Sequence, residues 1–215
     1  MPGSPAIPIT SGARSKGERT AERILDVAEA LFAERGYDGT TLRDVATRAG
    51  LRIPSLYNHF ASKESLYGAV LERGFGPVLE VLSEFVAGGE ARSRDTGRVI
   101  ERVMALLARR PNLPRLVQHE MLSGGQRLTP MLRGWITPAF ARAHEMVEAT
   151  RGARRWERDQ IPLLVLAVFH ALVGYFAIAP FYRGLNGLDL LAPKMLEHQS
   201  ALLREIVAAL FPEDG

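Results

Sequence analysis

The chain has 215 residues, a formal net charge of +3 at pH 7 and no cysteine. The lack of cysteine excludes disulfide bonds, thiolate metal sites and cysteine nucleophiles, and it suits a reducing cytoplasm. The mildly basic charge permits a nucleic-acid partner, yet it is far from the charge of a histone-like protein.

Residues 1–18 are predicted to form a disordered tail, because the segment is rich in Pro, Gly, Ser and Ala and has no helical period. A secretory signal is excluded, since Pro8 interrupts the apolar residues near the start. Arg14, Lys16 and Arg19 leave an alternative open, in which this segment is a basic arm that follows the DNA backbone.

Two helices are predicted next, the first at residues 20–36 and the second from Leu42. Thr41 holds the N-cap position of the second helix, and Asp44 completes a capping box three residues on. This helix stops at Gly50, where a left-handed position needs no side chain. The first helix is predicted from apolar residues that recur on one stripe at helical spacing: Ile24, Leu25, Ala28, Leu31 and Phe32.

A third, short helix follows and runs to about His59. Pro54 suits its first turn, because the missing N–H would have no partner there. Leu56 and Phe60 can anchor it to a core. The side chains left outward carry hydroxyl, amide, imidazole and aromatic groups, which are groups that reach phosphate oxygens and base edges. An ordinary αα-hairpin with a polar exterior would show the same pattern, so this alternative stays open. The outward residues are Arg52, Ile53, Ser55, Tyr57, Asn58 and His59.

A fourth helix is predicted from Lys63, with Ser62 as its cap. With this helix added, the segment from Thr20 to Val70 resembles the N-terminal DNA-binding domain of TetR/AcrR-type transcriptional regulators. The resemblance covers about a quarter of the chain and rests on a dense set of positions. These are Arg23–Leu25, Ala28, Leu31–Glu34, Gly36–Tyr37, Thr40–Leu42, Asp44–Ala46, Ala49–Leu51, Ser55–Tyr57, His59–Phe60, Ser62–Glu64 and Leu66.

The resemblance implies which residues contact DNA. Thr41 and Lys63 match positions that hold phosphates, and Arg43 matches a position that often reads a base or a phosphate. Ile53 departs from the many relatives with a polar or charged residue there. A contact at this position would be with a thymine methyl group, and the alternative is that Ile53 makes no contact. The other contacts implied for the recognition helix are Arg52, Pro54, Ser55, Tyr57 and His59.

Beyond about Phe75 the sequence shows only helical patterns, separated by Gly and Pro breaks. We therefore predict an all-α protein of about nine helices. It has a three-helix helix-turn-helix DNA-binding domain at 19–66 and, as the resemblance implies, a ligand-binding and dimerisation bundle at 67–215. The helices predicted from the fourth onward are 63–87, 93–110, 112–122, 129–150, 159–182 and 189–210.

The segment Ile161–Tyr182 contains no charged residue and is long enough to cross a bilayer. His170 at its centre, its prolines and the lack of a second such segment favour a buried helix instead, with a bundle core on one side and a partner subunit on the other. The resemblance implies a homodimer through helices 159–182 and 189–210, whose recognition helices, about 34–36 Å apart, read a palindromic operator. Interface candidates are Ala167, Ala171, Gly174, Leu191, Leu196, Leu202, Leu203, Ile206 and Leu210.

The middle helices carry enough apolar and aromatic side chains to line a cavity for a small apolar or amphipathic ligand. The alternative for each of these residues is that it belongs to the ordinary hydrophobic core. Pro138 is expected to kink its helix beside such a cavity, and Glu120 and His119 are candidates for orienting hydrogen bonds. The predicted ligand-binding residues are Met104, Leu107, Val117, Met121, Trp135, Phe140, His144, Phe169, His170 and Phe176.

These features predict a cytoplasmic, DNA-binding transcriptional repressor that leaves its operator when a ligand favours a second domain arrangement. The alternative is a DNA-binding dimer without a small-molecule sensor, whose C-terminal domain only dimerises or binds another protein. An enzyme is disfavoured, because adjacent His-Glu pairs point to different sides of a helix and no zinc-protease, phosphate-loop or serine-elbow motif occurs. No catalytic residue, metal site or cofactor is predicted.

Overall fold

The structure, a computed structural model, describes residues 15–87, 96–127, 133, 156–157 and 159–210. These ranges hold eight helices and no strand, which confirms the predicted all-α class. The first fourteen residues of the predicted tail lie outside the described residues, as does the helix predicted at 129–150 except for residue 133. The helices are α1 (Lys16–Arg35), α2 (Leu42–Arg48), α3 (Ile53–Tyr57), α4 (Lys63–Ala87), α5 (Thr96–Arg109), α6 (Leu113–Leu122), α7 (Ile161–Asn186) and α8 (Pro193–Leu210).

Helix α1 begins earlier than its apolar stripe indicates. The backbone N–H of Glu18 donates to Ser15 Oγ over 3.1 Å, and the N–H of Ser15 donates to the Glu18 carboxylate over 2.7 Å. This capping box starts the helix at Lys16, inside the segment predicted as tail. The spacing of apolar residues does not predict this first turn, because the turn is exposed and carries no apolar side chain.

The short elements that follow α1 begin and end where local signals predicted. The Asp44 N–H donates to Thr41 Oγ1 over 3.1 Å, and the Thr41 N–H donates to the Asp44 carboxylate over 2.9 Å, which completes the capping box of α2. Gly50 takes a left-handed φ of 66° after α2. The Ser65 N–H donates to Ser62 Oγ over 3.0 Å at the start of α4. All three predictions are confirmed.

A first hydrophobic core joins the N-terminal helices to the start of α4. It also includes Leu116 from α6, so this core is shared with the C-terminal part of the chain. Its members are Ile24, Ala28, Leu31, Phe32, Ala33, Val45, Ala46, Leu56, Leu66, Tyr67, Val70, Leu71 and Leu116.

A second core lies among α4, α5, α6, α7 and α8. Phe75 on α4 packs against both cores, so α4 connects them. Helix α6 approaches α4 closely at Gly74, where a Cβ atom would lie 2.6 Å from Leu113 Cδ1. The members of this core are Val81, Ile100, Val103, Met104, Leu107, Leu113, Phe176 and Leu203.

The apolar helix α7 extends beyond its predicted end at residue 182. Pro180 lies inside it and does not terminate it, because a proline removes only its own N–H donor and the chain can continue with a local adjustment. The helix ends at Gly187, which has a left-handed φ of 76° and donates its N–H to the Arg183 carbonyl. Helix α8 starts at Pro193, a residue that suits a first turn.

Candidate nucleic-acid interface

Helices α2 and α3 form a helix-turn-helix unit held by backbone and core contacts. After the left-handed Gly50, the Leu51 N–H donates to the Ala46 carbonyl over 2.8 Å and closes the turn. Leu56 on α3 is fully buried in the first core, and Phe60 packs against the same core. The short α3 is thus fixed on the domain by its apolar side.

The exposed side of this unit carries most of the predicted DNA contacts. Thr41 and Arg43 at the start of α2 are exposed, as are Arg52 and Pro54 at the start of α3. Tyr57 leaves 51% of its surface accessible. Ser55, His59 and Lys63 are half-buried. The unit therefore presents hydroxyls, guanidinium groups and an aromatic ring without a covering element among the described residues.

Ile53 differs from the outward placement predicted for it. Its side chain is half-buried and packs against the first core. Ile53 precedes Leu56 by three residues, which places both on the same side of α3. The apolar side chain at this position therefore stabilises the seating of α3, and little of it is left for a thymine methyl group.

Lys63 is held beside the helix-turn-helix by an aromatic ring that the sequence did not single out. Its Nζ lies 4.2 Å from the ring centroid of Tyr37, within the range of a cation–π interaction. Partial burial lowers the pKa of the Lys63 ammonium, while the carboxylate of Asp38 opposes this shift and the guanidinium of Arg127 adds to it. Burial also raises the pKa of Tyr37, so its ring remains neutral at physiological pH.

Arg127 places a second cation on the same ring. Its Cζ lies 3.8 Å from the Tyr37 centroid, and its guanidinium donates to Asp38 over 3.1 Å. The Arg127 backbone N–H donates to the Glu120 carboxylate over 3.3 Å. That carboxylate also accepts a 2.8 Å hydrogen bond from the Tyr67 hydroxyl. Glu120, predicted as a polar group of a ligand pocket, is instead a buried link between α6 and α4.

An ion-pair cluster centred on Arg73 also joins α1 to later helices. Arg73 on α4 donates to Asp26 and to Glu29 of α1, each over 2.7 Å, and lies 3.4 Å from Glu22. Arg110, which follows α5, approaches Glu29 to 3.4 Å. The Nε of Arg73 is buried and has no acceptor among the described residues. The orientation of α1 against α4 therefore depends on buried charges as well as on apolar packing.

Those predicted ligand-binding residues that the structure describes do not line one common cavity. Met104, Leu107 and Phe176 belong to the second core, and Val117 is buried. Met121 is exposed, Phe169 is half-buried, and the exposed His170 places Nδ1 2.8 Å from the Leu166 carbonyl of its own helix. Trp135, Phe140 and His144, with Pro138, lie outside the described residues.

An open groove of about 570 Å³ runs between α5 and α8. Met104 lines it together with Leu196 and Ala201, and the ion pair between Arg204 and Glu101 lies at the groove. Of the predicted ligand-binding residues that the structure describes, only Met104 is among the lining residues.

Helices α7 and α8 expose a broad apolar surface. One side of α7 is buried against the rest of the chain, at Val173, Phe176 and Ala179. By length and composition α7 could cross a membrane, a test that the core helix of a soluble protein also passes. Clusters of exposed large apolar residues commonly mark sites of association. The exposed residues are Leu163, Leu166, Ile178, Phe181 and Leu185 on α7, Leu188 after it, and Leu202 and Ile206 on α8.

The predicted interface set is divided between this surface and the interior. Leu202 and Ile206 are exposed as expected. Four other candidates pack on or within the second core, so their contacts lie within the chain; they are Ala171, Leu191, Leu196 and Leu203.

Residues 24–70 match the family model described as bacterial regulatory proteins, tetR family. Over 80 residues the chain is 45% identical to the HTH-type transcriptional repressor KstR2 of Rhodococcus jostii (strain RHA1), and the match covers 37% of each chain. The matches to such curated relatives span 25% to 37% of their length. The family match thus covers the segment that forms the helix-turn-helix and its flanks.

Two solved structures share the fold over most of their length. The fatty acid degradation regulator FadR from Bacillus halodurans aligns with a TM-score of 0.61 at 17% identity, covering 89% of this chain and 96% of that one. A transcriptional regulator from Aquifex aeolicus VF5 aligns with a TM-score of 0.59 at 21% identity, covering 89% and 99%. Similarity at these identities shows a common fold.

Proposed function

Since the DNA-binding domain of this chain belongs to the tetR family of bacterial regulatory proteins, we propose that the protein is a DNA-binding transcriptional repressor. The observation that carries this proposal is the exposed side of the α2–α3 unit. There Thr41, Arg43, Arg52 and Tyr57 are accessible while Leu56 fixes the helix from behind. A rigid support with exposed polar and aromatic side chains suits insertion into a major groove.

We further propose that the repressor acts as a homodimer on a palindromic operator. The exposed apolar residues of α7 and α8 support this, because a second copy of the same surface would remove them from water. A two-fold axis through this contact relates two recognition helices, and half-sites one helical turn apart then follow. The proposed dimer is cytoplasmic and has no catalytic role.

Release by a small apolar or amphipathic ligand is the third part of the proposal. A ligand that prefers a dimer with misplaced recognition helices would shift the population toward that state. A hundredfold loss of operator affinity requires a coupling of only about 2.7 kcal/mol. Helix α4 would carry the change, since it contributes to both cores.

A second candidate function is a DNA-binding dimer without a small-molecule sensor. This candidate is favoured because three predicted ligand-binding residues do not lie together: Met104 is buried in the core, whereas Met121 and His170 are exposed. Thermal unfolding across a panel of apolar and amphipathic compounds distinguishes the two: a specific rise in the melting temperature supports a sensor. A flat response together with sequence-specific DNA binding supports the second candidate.

The deciding experiment is selection from a random duplex library by the purified protein at about 150 mM salt, followed by sequencing of the retained duplexes. An enriched inverted repeat is the expected result, because a two-fold dimer reads two equivalent half-sites. Retention of duplexes without sequence enrichment, removed uniformly by salt, would contradict a specific operator-binding function.

A further inference from the structure

The ring of Tyr37 is contacted by two cations that come from different parts of the fold. Lys63 Nζ lies 4.2 Å from the ring centroid and belongs to the first turn of α4, beside the helix-turn-helix. Arg127 Cζ lies 3.8 Å from the same centroid and belongs to the segment that follows α6. The ring therefore connects the predicted phosphate-binding lysine to the C-terminal part of the chain.

Arg127 is fixed in this position by several independent contacts. Its guanidinium donates to Asp38, and its backbone N–H donates to the buried Glu120 carboxylate. Gly124 and Gly125 both take left-handed φ angles, 76° and 68°, which turn the chain sharply after α6. This path brings Arg127 back toward α1, and a Cβ-bearing residue at either glycine would be strained there.

The Tyr37 ring is itself embedded in a rigid aromatic group. It meets the edge of Tyr67 at a centroid distance of 5.0 Å and stacks near Phe32 at 6.0 Å. Tyr67 in turn donates its hydroxyl to Glu120. The ring thus has a fixed position, and a cation on it is held at a defined place near the helix-turn-helix.

We propose that Tyr37 and Arg127 are positioning residues for phosphate binding by Lys63, so that the operator affinity of the N-terminal domain depends on the segment after α6. The proposal rests on the DNA-binding function proposed above. A lysine side chain carries several freely rotating bonds, and the ring restricts them before DNA arrives. Arg127 braces the ring and repels the Lys63 ammonium, which leaves that ammonium available to a phosphate.

A double-mutant cycle on the operator found by selection tests this proposal, with Lys63→Ala, Arg127→Ala and the double variant. Lys63→Ala is expected to reduce the slope of log affinity against log salt by about 0.9, the value of one phosphate contact. Arg127→Ala is expected to weaken binding roughly threefold through the lost cation–π contact. The double variant should bind no more weakly than Lys63→Ala alone, because both changes remove the same contact.

Two further variants separate positioning from charge and from folding. Arg102→Ala is the matched control, since Arg102 also forms one ion pair, with Glu84, on the surface of α5; it should leave operator affinity and salt slope unchanged. Arg127→Lys keeps the charge and should recover part of the affinity. Thermal unfolding of each variant checks that the fold is retained.

The outcomes distinguish this proposal from the function on which it rests. Additive losses in the double variant would show that Arg127 acts independently of Lys63, and they would overturn the positioning role. An Arg127→Ala variant indistinguishable from Arg102→Ala would overturn it as well. Failure of the unaltered protein to bind any enriched duplex would overturn the proposed function, and this inference with it.

Discussion

Tyr67 on α4 donates its hydroxyl hydrogen to Glu120 on α6 over 2.8 Å, although the two residues are 53 positions apart. Glu120 is 1% exposed, and its carboxylate also accepts the backbone N–H of Arg127. A buried carboxylate requires such donors, because leaving it unpaired in a low-dielectric interior is costly. The bond therefore ties the first core to α6 and to the segment after it.

Tyr67→Phe removes this donor while keeping the ring. We expect the free energy of unfolding to fall by about 1.5–3 kcal/mol, the range for a hydrogen bond to a charged acceptor. Urea denaturation measures the change. Tyr175→Phe is the matched control, since the Tyr175 hydroxyl donates to the neutral carbonyl of Leu190 and its loss should cost about 0.5–1.5 kcal/mol. Equal losses in the two variants would contradict a special role for the Glu120 link.

The stability of the protein should fall at alkaline pH. Burial raises the pKa of Tyr67, and the hydrogen bond to Glu120 and the charge of that carboxylate raise it further. Burial also raises the pKa of Tyr37 and Tyr175. A raised pKa in the folded state gives a contribution to stability that is complete below the unfolded value of about 10 and is lost as the pH rises above it.

Urea midpoints measured from about pH 8 to 11 check this expectation, with tyrosinate absorbance recorded in parallel. The Tyr67→Phe variant should lose less stability over this pH interval than the unaltered protein, because it lacks one of the hydroxyls whose pKa is raised in the folded state. A parallel decline in both proteins would assign the alkaline loss to other groups.

Arg73→Met should destabilise the chain strongly. It keeps an unbranched side chain of related length. Among the described residues it leaves the nearly buried Glu29 with one ion-pair contact, the 3.4 Å approach of Arg110. Removal of one partner from a buried pair costs about 3–5 kcal/mol, and the partial exposure of Asp26 and Glu22 favours the lower end. Arg48→Met, which breaks an exposed pair with Glu34, should cost less than about 1 kcal/mol. Urea denaturation of both variants provides the measurement.

Phe181→Glu should convert the proposed dimer to a monomer. Phe181 is 67% exposed in the single chain, and a carboxylate buried in an apolar contact is expected to weaken dimerisation by about a hundredfold or more. Sedimentation equilibrium measures the association constant. Leu122→Glu changes a large apolar residue that is 87% exposed but lies at the end of α6, so it is not one of the exposed apolar residues of α7 and α8. A dimer that survives Phe181→Glu and dissociates with Leu122→Glu would place the interface elsewhere.

Tyr57→Ala should reduce operator selectivity more than general DNA affinity. Tyr57 is the large exposed aromatic residue of α3, and the loss of one base-reading side chain costs about 1–3 kcal/mol. Competition between operator and random duplex measures the selectivity ratio. Tyr57→Phe separates the ring from the hydroxyl: full selectivity assigns the contact to the ring, whereas loss equal to that of Tyr57→Ala assigns it to the hydroxyl. An equal loss on operator and random duplex would refute base reading by Tyr57.

The N-terminal helices could be predicted closely because their signals are local. The capping box of Thr41 and Asp44 and the glycine at position 50 act within a few residues, where backbone geometry allows few alternatives. The periodicity of apolar residues does not predict the start of α1 at Lys16, because this start is set by the polar capping box of Ser15 and Glu18. The outward placement of Ile53 follows from taking Leu56 and Phe60 alone as the anchors of α3, whereas the spacing of Ile53 from Leu56 already favours the core side.

The amino-acid sequence by itself determined the all-α class, the helix-turn-helix and the apolar character of α7, because each follows from composition and spacing along one segment. Only the tertiary structure decided which neighbour each side chain meets. Leu203 enters the second core while the adjacent Leu202 stays exposed, and Arg127 reaches Tyr37 across the fold. Such contacts depend on how distant helices pack, and helical periodicity defines the faces of a helix without naming their partners.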